Sequence, residues 1–243
     1  MKNKFTGLTS ALILTLSMAS SANAALIDRG NGMVYDSDQN LTWLQDSNYA
    51  VTSGYAAANA IDNGASAYDN ILTNGRMGWD AATTWAANLN YGGYDDWRLP
   101  TVTDTDLNDN GCDWSYNGTD CGYNSSGSEL AYMWRDVLGN TPYYDINANP
   151  QSGWGLTSTS ADGVEILNLQ PGLYWSGTEV SPTIDDAWFF GTNYGNQELI
   201  SKQAEFYVWA VRSGDVAAVP GPGTLLLLLA GLAGIAAAKR RRC

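Results

Sequence analysis

Asp96-Trp97-Arg98-Leu99-Pro100-Thr101 is the stretch that decides the reading of this chain. An arginine between two large apolar residues is no solvated surface charge. Trp97 and Leu99 read as buried, so Arg98 reads as an internal anchor, with a ligand contact as the minority alternative. Pro100 then forces an extended exit. Upstream, Met77 to Asn90 has helical spacing: Ala82, Trp85, Ala86 and Leu89 fall at i, i+3, i+4 and i+7, with Asp80 in the first turn. Tyr91-Gly92-Gly93 ends that helix. Downstream, Asp104 to Ser128 is a long polar stretch, followed by a helix from Glu129 to Leu138 with Ser128 as N-cap.

Further out, Met33-Val34-Tyr35 and Leu41-Thr42-Trp43 flank a polar turn and predict a β-hairpin. Residues 48–74, rich in Ala, Gly and Asn, carry no decisive periodicity. The late segments Leu173–Ser176, Ala187–Phe190 and Phe206–Arg212 read as strands. The order hairpin, helix, irregular loops, helix, strands predicts an α+β domain with two main helices, antiparallel strands and long irregular loops.

The ends read as targeting segments. Lys2 and Lys4, the apolar run Leu8–Met18 and Ala22-Asn23-Ala24 make a signal peptide over residues 1–24, cleaved after Ala24. Thr224–Ala238 is uncharged and leads into Lys239-Arg240-Arg241-Arg242. As a helix, that segment spans about 22 Å, short of a hydrocarbon core of about 30 Å. Snorkelling basic side chains recover part of the difference. The basic cluster stays cytoplasmic, which puts the preceding domain outside. Val219-Pro220-Gly221-Pro222, the Leu-rich helix and the basic end together resemble the PEP-CTERM sorting signal over residues 219–243. That resemblance implies an exosortase-type membrane protease as partner and a cell-surface or extracellular-matrix destination. Gly221 stands where the family usually has Glu.

The globular part, residues 25–218, holds all 25 acidic residues. Against them stand six cations, Arg29, Arg76, Arg98, Arg135, Lys202 and Arg212, for a net charge of −19. This excludes nucleic acid as a natural partner, because phosphate binding needs clustered cations. The absence of histidine excludes Ser-His-Asp and Cys-His nucleophile systems and His-ligated metals. Cys112 and Cys121 are spaced for a disulfide in an oxidising compartment, worth about 2.5–3 kcal/mol. Ten tryptophans and fourteen tyrosines suit a loop-rich domain with most indoles in the core and a few rings on a binding face.

The blocks Gly32–Asp36, Leu41–Trp43, Trp79–Leu89 with Asp96–Thr101, Tyr174–Thr178, Ala187–Phe190 and Val211–Arg212 resemble the Lcl C-terminal domain family. The Trp-Arg-Leu-Pro-Thr core is also similar to that of the formylglycine-generating enzymes. The resemblance implies a C-type-lectin-like fold, surface attachment and glycan binding. The cysteines or histidines that the enzymatic branch uses near its late strands are absent here, so that activity is not carried over. The strong negative charge favours neutral or cation-bridged polysaccharide over sulfated polymers.

Asp104, Asp106, Asn108, Asp109 and Asn110 offer alternating oxygens before Gly111, the first half of a calcium loop; calcium is the candidate cofactor, and the alternative reading is a solvated Asx-turn loop pinned by the disulfide. Asn117 stands where a bidentate Glu would complete an EF-hand. Trp114 and Tyr116, beside this loop, are the candidate sugar-stacking pair. Asp95-Asp96 and Asp185-Asp186 are the carboxylate pairs on which a glycoside hydrolase would have to be built. Sequons at Asn40, Asn117 and Asn124 read as turn chemistry. The favoured function is a non-catalytic lectin-like polysaccharide-binding protein. The alternatives are a structural surface protein without a small ligand and a carboxylate-based hydrolase.

Overall fold

The hairpin forms where the sequence places it, and the far end of the chain completes its sheet. A computed structural model of the protein describes residues 26–64, 67–103, 112, 114–180 and 184–216. Strands β1 (Leu26–Gly30), β2 (Met33–Asp36) and β3 (Leu41–Leu44) run antiparallel, with Val34 opposite Trp43 and Tyr35 opposite Thr42. Asp36 closes the β2–β3 turn by accepting from the Asp38 and Gln39 N–H groups, and Asn40 takes a left-handed conformation there.

Two single-turn helices, α1 (Tyr49–Thr52) and α2 (Tyr55–Ala58), follow, and then α3 (Trp79–Ala87). Trp79, Ala81, Ala82, Trp85 and Ala86 bury one face of α3, the alanines allowing close approach. After the short strand β4 (Gly122–Tyr123), Ser128 caps α4 (Glu129–Tyr132), its side chain accepting from the Ala131 N–H at 3.1 Å. The helix continues as a π turn, Met133–Val137, with Leu138 N–H bonded to Met133 O. Gly139, at φ +72°, ends it.

Strands β5 (Ser160–Ala161) and β6 (Val164–Glu165) form a small hairpin. β7 (Leu173–Glu179), β8 (Asp186–Gly191) and β9 (Asn196–Ser201) join β4 in a second antiparallel sheet, ordered β4-β9-β8-β7. The last strand, β10 (Val211–Ser213), pairs with β3 and completes the first sheet in the order β1-β2-β3-β10. Among the described residues, no helix is long and apolar enough to cross a membrane. The expected signal peptide, sorting motif and membrane span at 224–238 lie outside the described residues.

Several expectations are corrected. Besides the two main helices expected, the described residues hold two short ones, α1 and α2, that the sequence pattern does not announce. The continuous strand expected over Phe206–Arg212 is a strand only from Val211. Phe206 pairs with Met77, Tyr207 with Tyr174, and Ala210 O accepts from Leu44 N–H. The segment thus crosses from one sheet to the other, and its near-continuous apolar run reflects burial on both sides. β1 and β9 were not anticipated; β9, Asn-Gln-Glu-Leu-Ile-Ser, is polar enough to read as loop.

Eight of the ten tryptophans are buried. Four indole N–H groups donate to backbone carbonyls: Trp79 to Ser176 O and Trp175 to Met77 O, both at 2.8 Å, Trp209 to Leu44 O at 2.7 Å, and Trp97 to Tyr91 O at 3.3 Å. Arg98 forks onto Glu129 at 2.7 and 2.8 Å, and Glu129 also accepts from Thr101 N–H at 2.7 Å. One carboxylate thus ties the start of α4 to both sides of Pro100. Arg212 forks onto Asp96 at 2.7 and 2.9 Å and lies over the Tyr94 ring.

Two outcomes follow. Arg98→Met leaves Glu129 with only the Thr101 N–H and should destabilise the domain by roughly 1–2 kcal/mol in urea denaturation. The Arg212 guanidinium beside Asp96 holds its carboxyl below the ordinary value of 3.8. The stability that pairing provides is therefore complete above that value and lost as pH falls through the lower native one. Asp96→Asn should flatten the loss of stability below about pH 4; an unchanged acid limb would refute this assignment.

Candidate functional site

The two exposed tryptophans lie in one ring cluster. Trp114 is 48% exposed and Trp154 39%, and all the other indoles are buried. Trp114 meets the edge of Tyr123 at 5.9 Å, and Tyr116 stacks parallel to Tyr123 at 6.0 Å. Tyr144 touches both Tyr116 and Tyr123, at 5.3 and 5.1 Å. Tyr143 adjoins Tyr144 at 4.6 Å and Trp154 at 4.9 Å, and Tyr194, 44% exposed, stacks on Trp154 at 5.1 Å. Seven rings from three loops and β4 thus form a continuous aromatic ribbon, open to solvent at both ends.

Backbone bonds hold the ribbon rigid. Gly122 has φ +96°, and a Cβ there would lie 1.9 Å from Ser115 O. Only glycine lets the Trp114–Tyr116 segment close on β4, where Tyr123 N–H bonds to Ser115 O at 2.9 Å. Cys112 and Cys121, with Cα atoms 5.3 Å apart, bridge the same loop as the disulfide anticipated. Asn124, in left-handed backbone, donates from Nδ2 to Tyr116 O and Tyr144 O, both at 3.0 Å. The second loop closes by Thr141 pairing with Gly155 and Tyr144 with Pro150, and Tyr143 N–H reaches Tyr194 O at 2.8 Å. Its base is fixed by buried Asn140, which donates to Trp134 O and Ser158 O and accepts from Thr157 N–H and Ser158 N–H. Asp145 gathers the Asn147 and Asn149 N–H groups at its tip.

Burial first, and the charge of Glu198 second, push the Tyr123 phenol up to about 12. It stays a neutral hydroxyl at any ordinary pH. Next to it, Asn196 donates from Nδ2 to Glu198, while its Oδ1, like that of Asn193, is buried without a donor. The site therefore combines apolar ring faces with hydroxyls and a carboxylate, groups that meet CH faces and hydroxyls of a polar uncharged ligand, while the two carboxamide oxygens lie buried beneath them.

Of the sites anticipated from sequence, Trp114 and Tyr116 fall within this ribbon, both against Tyr123. The proposed calcium ligands Asp104, Asp106, Asn108, Asp109 and Asn110 lie outside the described residues. Among the described residues, no cluster of three acidic or cysteine side chains could hold a metal. Of the proposed carboxylate pairs, Asp96 is committed to Arg212, and Asp185 accepts from Tyr68 OH at 3.3 Å. Tyr123, Tyr143, Tyr144, Trp154 and Tyr194 were missed. Their one local signal is the Tyr-Tyr dipeptide between Pro142 and Asp145; their meeting is tertiary.

Gly122→Ala should cost about 2 kcal/mol or more in urea denaturation, because the strained φ and the Ser115 carbonyl act together. It should also shift the emission of exposed Trp114.

No curated protein and no solved structure matches this chain. The sequence profile of the Lcl C-terminal domain matches residues 32–212, from β2 through β10 and including every ring of the ribbon. The chain belongs to the Lcl C-terminal domain family.

Proposed function

We propose that this chain is an exported surface or extracellular-matrix protein whose C-type-lectin-like domain binds polysaccharide on the aromatic ribbon and catalyses nothing. The carrying observation is the placement of the exposed tryptophans. A fold that buries eight indoles leaves two in solvent, and both belong to one ring cluster braced by hydrogen bonds. Exposed aromatic surface costs stability and tends toward association, so its concentration on rigid loops favours a binding role. Rings with hydroxyls and amides between them suit neutral sugars.

The lectin-like reading draws further support from a sheet in which the first strands pair with the last, next to a second sheet with long loops. Calcium, if it binds, is held by the Asp104–Asn110 stretch, near the Trp114 end of the ribbon in sequence. The C-terminal segment, read as a PEP-CTERM signal, supplies membrane anchoring until an exosortase-type protease processes it.

Calorimetric titration of the protein with the exopolysaccharide of the bacterium that makes it, with calcium and with chelator, tests this reading. Trp114→Ala/Tyr116→Ala and Trp154→Ala/Tyr194→Ala should each weaken binding at least about tenfold, from the loss of stacking area. Wild-type affinity in both double variants would sink the ribbon. Binding that survives chelator would remove calcium and keep the ribbon, whereas no heat under any condition would favour a purely structural surface protein.

A further inference from the structure

Arg76 is the exception to the charge pairing of this domain. Arg29, Arg98, Arg135, Lys202 and Arg212 each meet a carboxylate, at 2.5 to 2.7 Å. Among the described residues, no carboxylate lies within ion-pair range of Arg76. Its Nε is buried and has no acceptor among the described residues. In a domain with 25 carboxylates, a cation left without one is not explained by scarcity. Leaving a charged donor unsatisfied is costly, and the terminal nitrogens of the half-buried Arg76 side chain also make no hydrogen bond among the described residues, so they are the atoms that an acceptor from outside the chain could meet.

The surroundings define that acceptor. Arg76 lines a cleft of about 270 Å³ together with Asn74, Leu173, Glu205, Phe206 and Tyr207. Glu205 lines the same cleft without pairing with Arg76; among the described residues its carboxylate accepts from Asn70 Nδ2 alone, at 3.0 Å. Opposite charges that share a cleft and do not meet leave room for a ligand between them. The volume suits one sugar residue or a comparably small molecule, and a guanidinium fork matches a carboxylate. Tight backbone pairing fixes the walls: Met77 exchanges hydrogen bonds with Phe206, and Tyr207 N–H bonds to Leu173 O.

We propose that this cleft receives a small carboxylate ligand, whose carboxylate forks onto Arg76 while a neighbouring hydrogen-bond donor of the ligand meets Glu205. Two sources share this chemistry: a uronic acid residue, with a hydroxyl as the donor, and a free α-amino acid, with its ammonium. The site needs no ring of the aromatic ribbon, so Trp154→Ala/Tyr194→Ala should leave it intact.

The test is calorimetry of the full chain with sodium galacturonate, L-alanine, galactose and acetate. Binding of galacturonate or of alanine, without binding of galactose, is the expected result, and it identifies the source. Arg76→Gln should then weaken that binding at least about tenfold, and Arg76→Lys, which keeps the charge but loses the fork, should recover little. Glu205→Gln should weaken alanine more than galacturonate, since only the ammonium carries a full charge. Unchanged thermal unfolding of Arg76→Gln would separate lost binding from lost fold. The proposal is overturned if neither galacturonate nor alanine binds at millimolar concentration, if Arg76→Gln binds as the parent does, or if acetate binds as well as either.

Discussion

The fold depends on indole N–H groups that reach out of their own segments. Trp79 and Trp175 donate to backbone carbonyls beside one another's elements, Ser176 O and Met77 O, so α3 and β7 are tied twice across some 97 residues of chain. Trp209 does the same between the last crossing segment and β3. Burying a ring of this size is worth about 4–6 kcal/mol as an upper estimate, and the hydrogen bond itself about 1 kcal/mol. The area term supplies most of the stability; the bond decides the orientation, because an indole with its N–H unsatisfied would lose about 1–3 kcal/mol. Tryptophan thus fills the core and also specifies which segments meet in it. Trp43, Trp134 and Trp188 contribute by packing, since their buried N–H groups have no acceptor.

The parts legible in the sequence were those with local causes. The β2–β3 hairpin follows from alternation around Asp36–Asn40, α3 from its 3.6-residue apolar period, and α4 from the Ser128 cap. Arg98 could be read as an internal anchor because its neighbours are apolar, although its partner Glu129 lies 31 positions away. Illegible parts had non-local causes. β9 is polar in sequence and becomes a strand because β8 and β4 flank it. The Phe206–Arg212 run has the composition of one strand, yet successive residues take partners from different sheets. The ribbon was half legible: Trp114 and Tyr116 stand beside a polar loop, whereas Trp154 and Tyr194 meet only once two loops have folded.

The two faces of the chemistry are separated by the way charge is handled. Each described cation except Arg76 is neutralised by a carboxylate of the domain, so the remaining acid is free to give the exterior its sign. Such an exterior discourages self-association and polyanions. The ribbon interrupts it with ring faces, with Glu198 and Asp145 at its margin, and its loops are fixed by Asn124, Asn140 and Asp145. Under the proposed binding role, a ligand would meet rings already ordered and would not have to supply the entropy of ordering them.

The pairing of the first strands with the last also sets a clock. Arg29 bonds to Asp215, 186 positions on; Thr42 Oγ1 bonds to Gly214 O at a separation of 172, and Trp209 to Leu44 O at 165. Contacts of that sequence separation form late, after much of the chain entropy has been surrendered. While the chain is being made, β1 to β3 have neither their closing strand nor the indole that seats against Leu44. The domain therefore cannot complete itself on the ribosome until nearly all of it has emerged, and until then the early strands wait without the partner that closes their sheet.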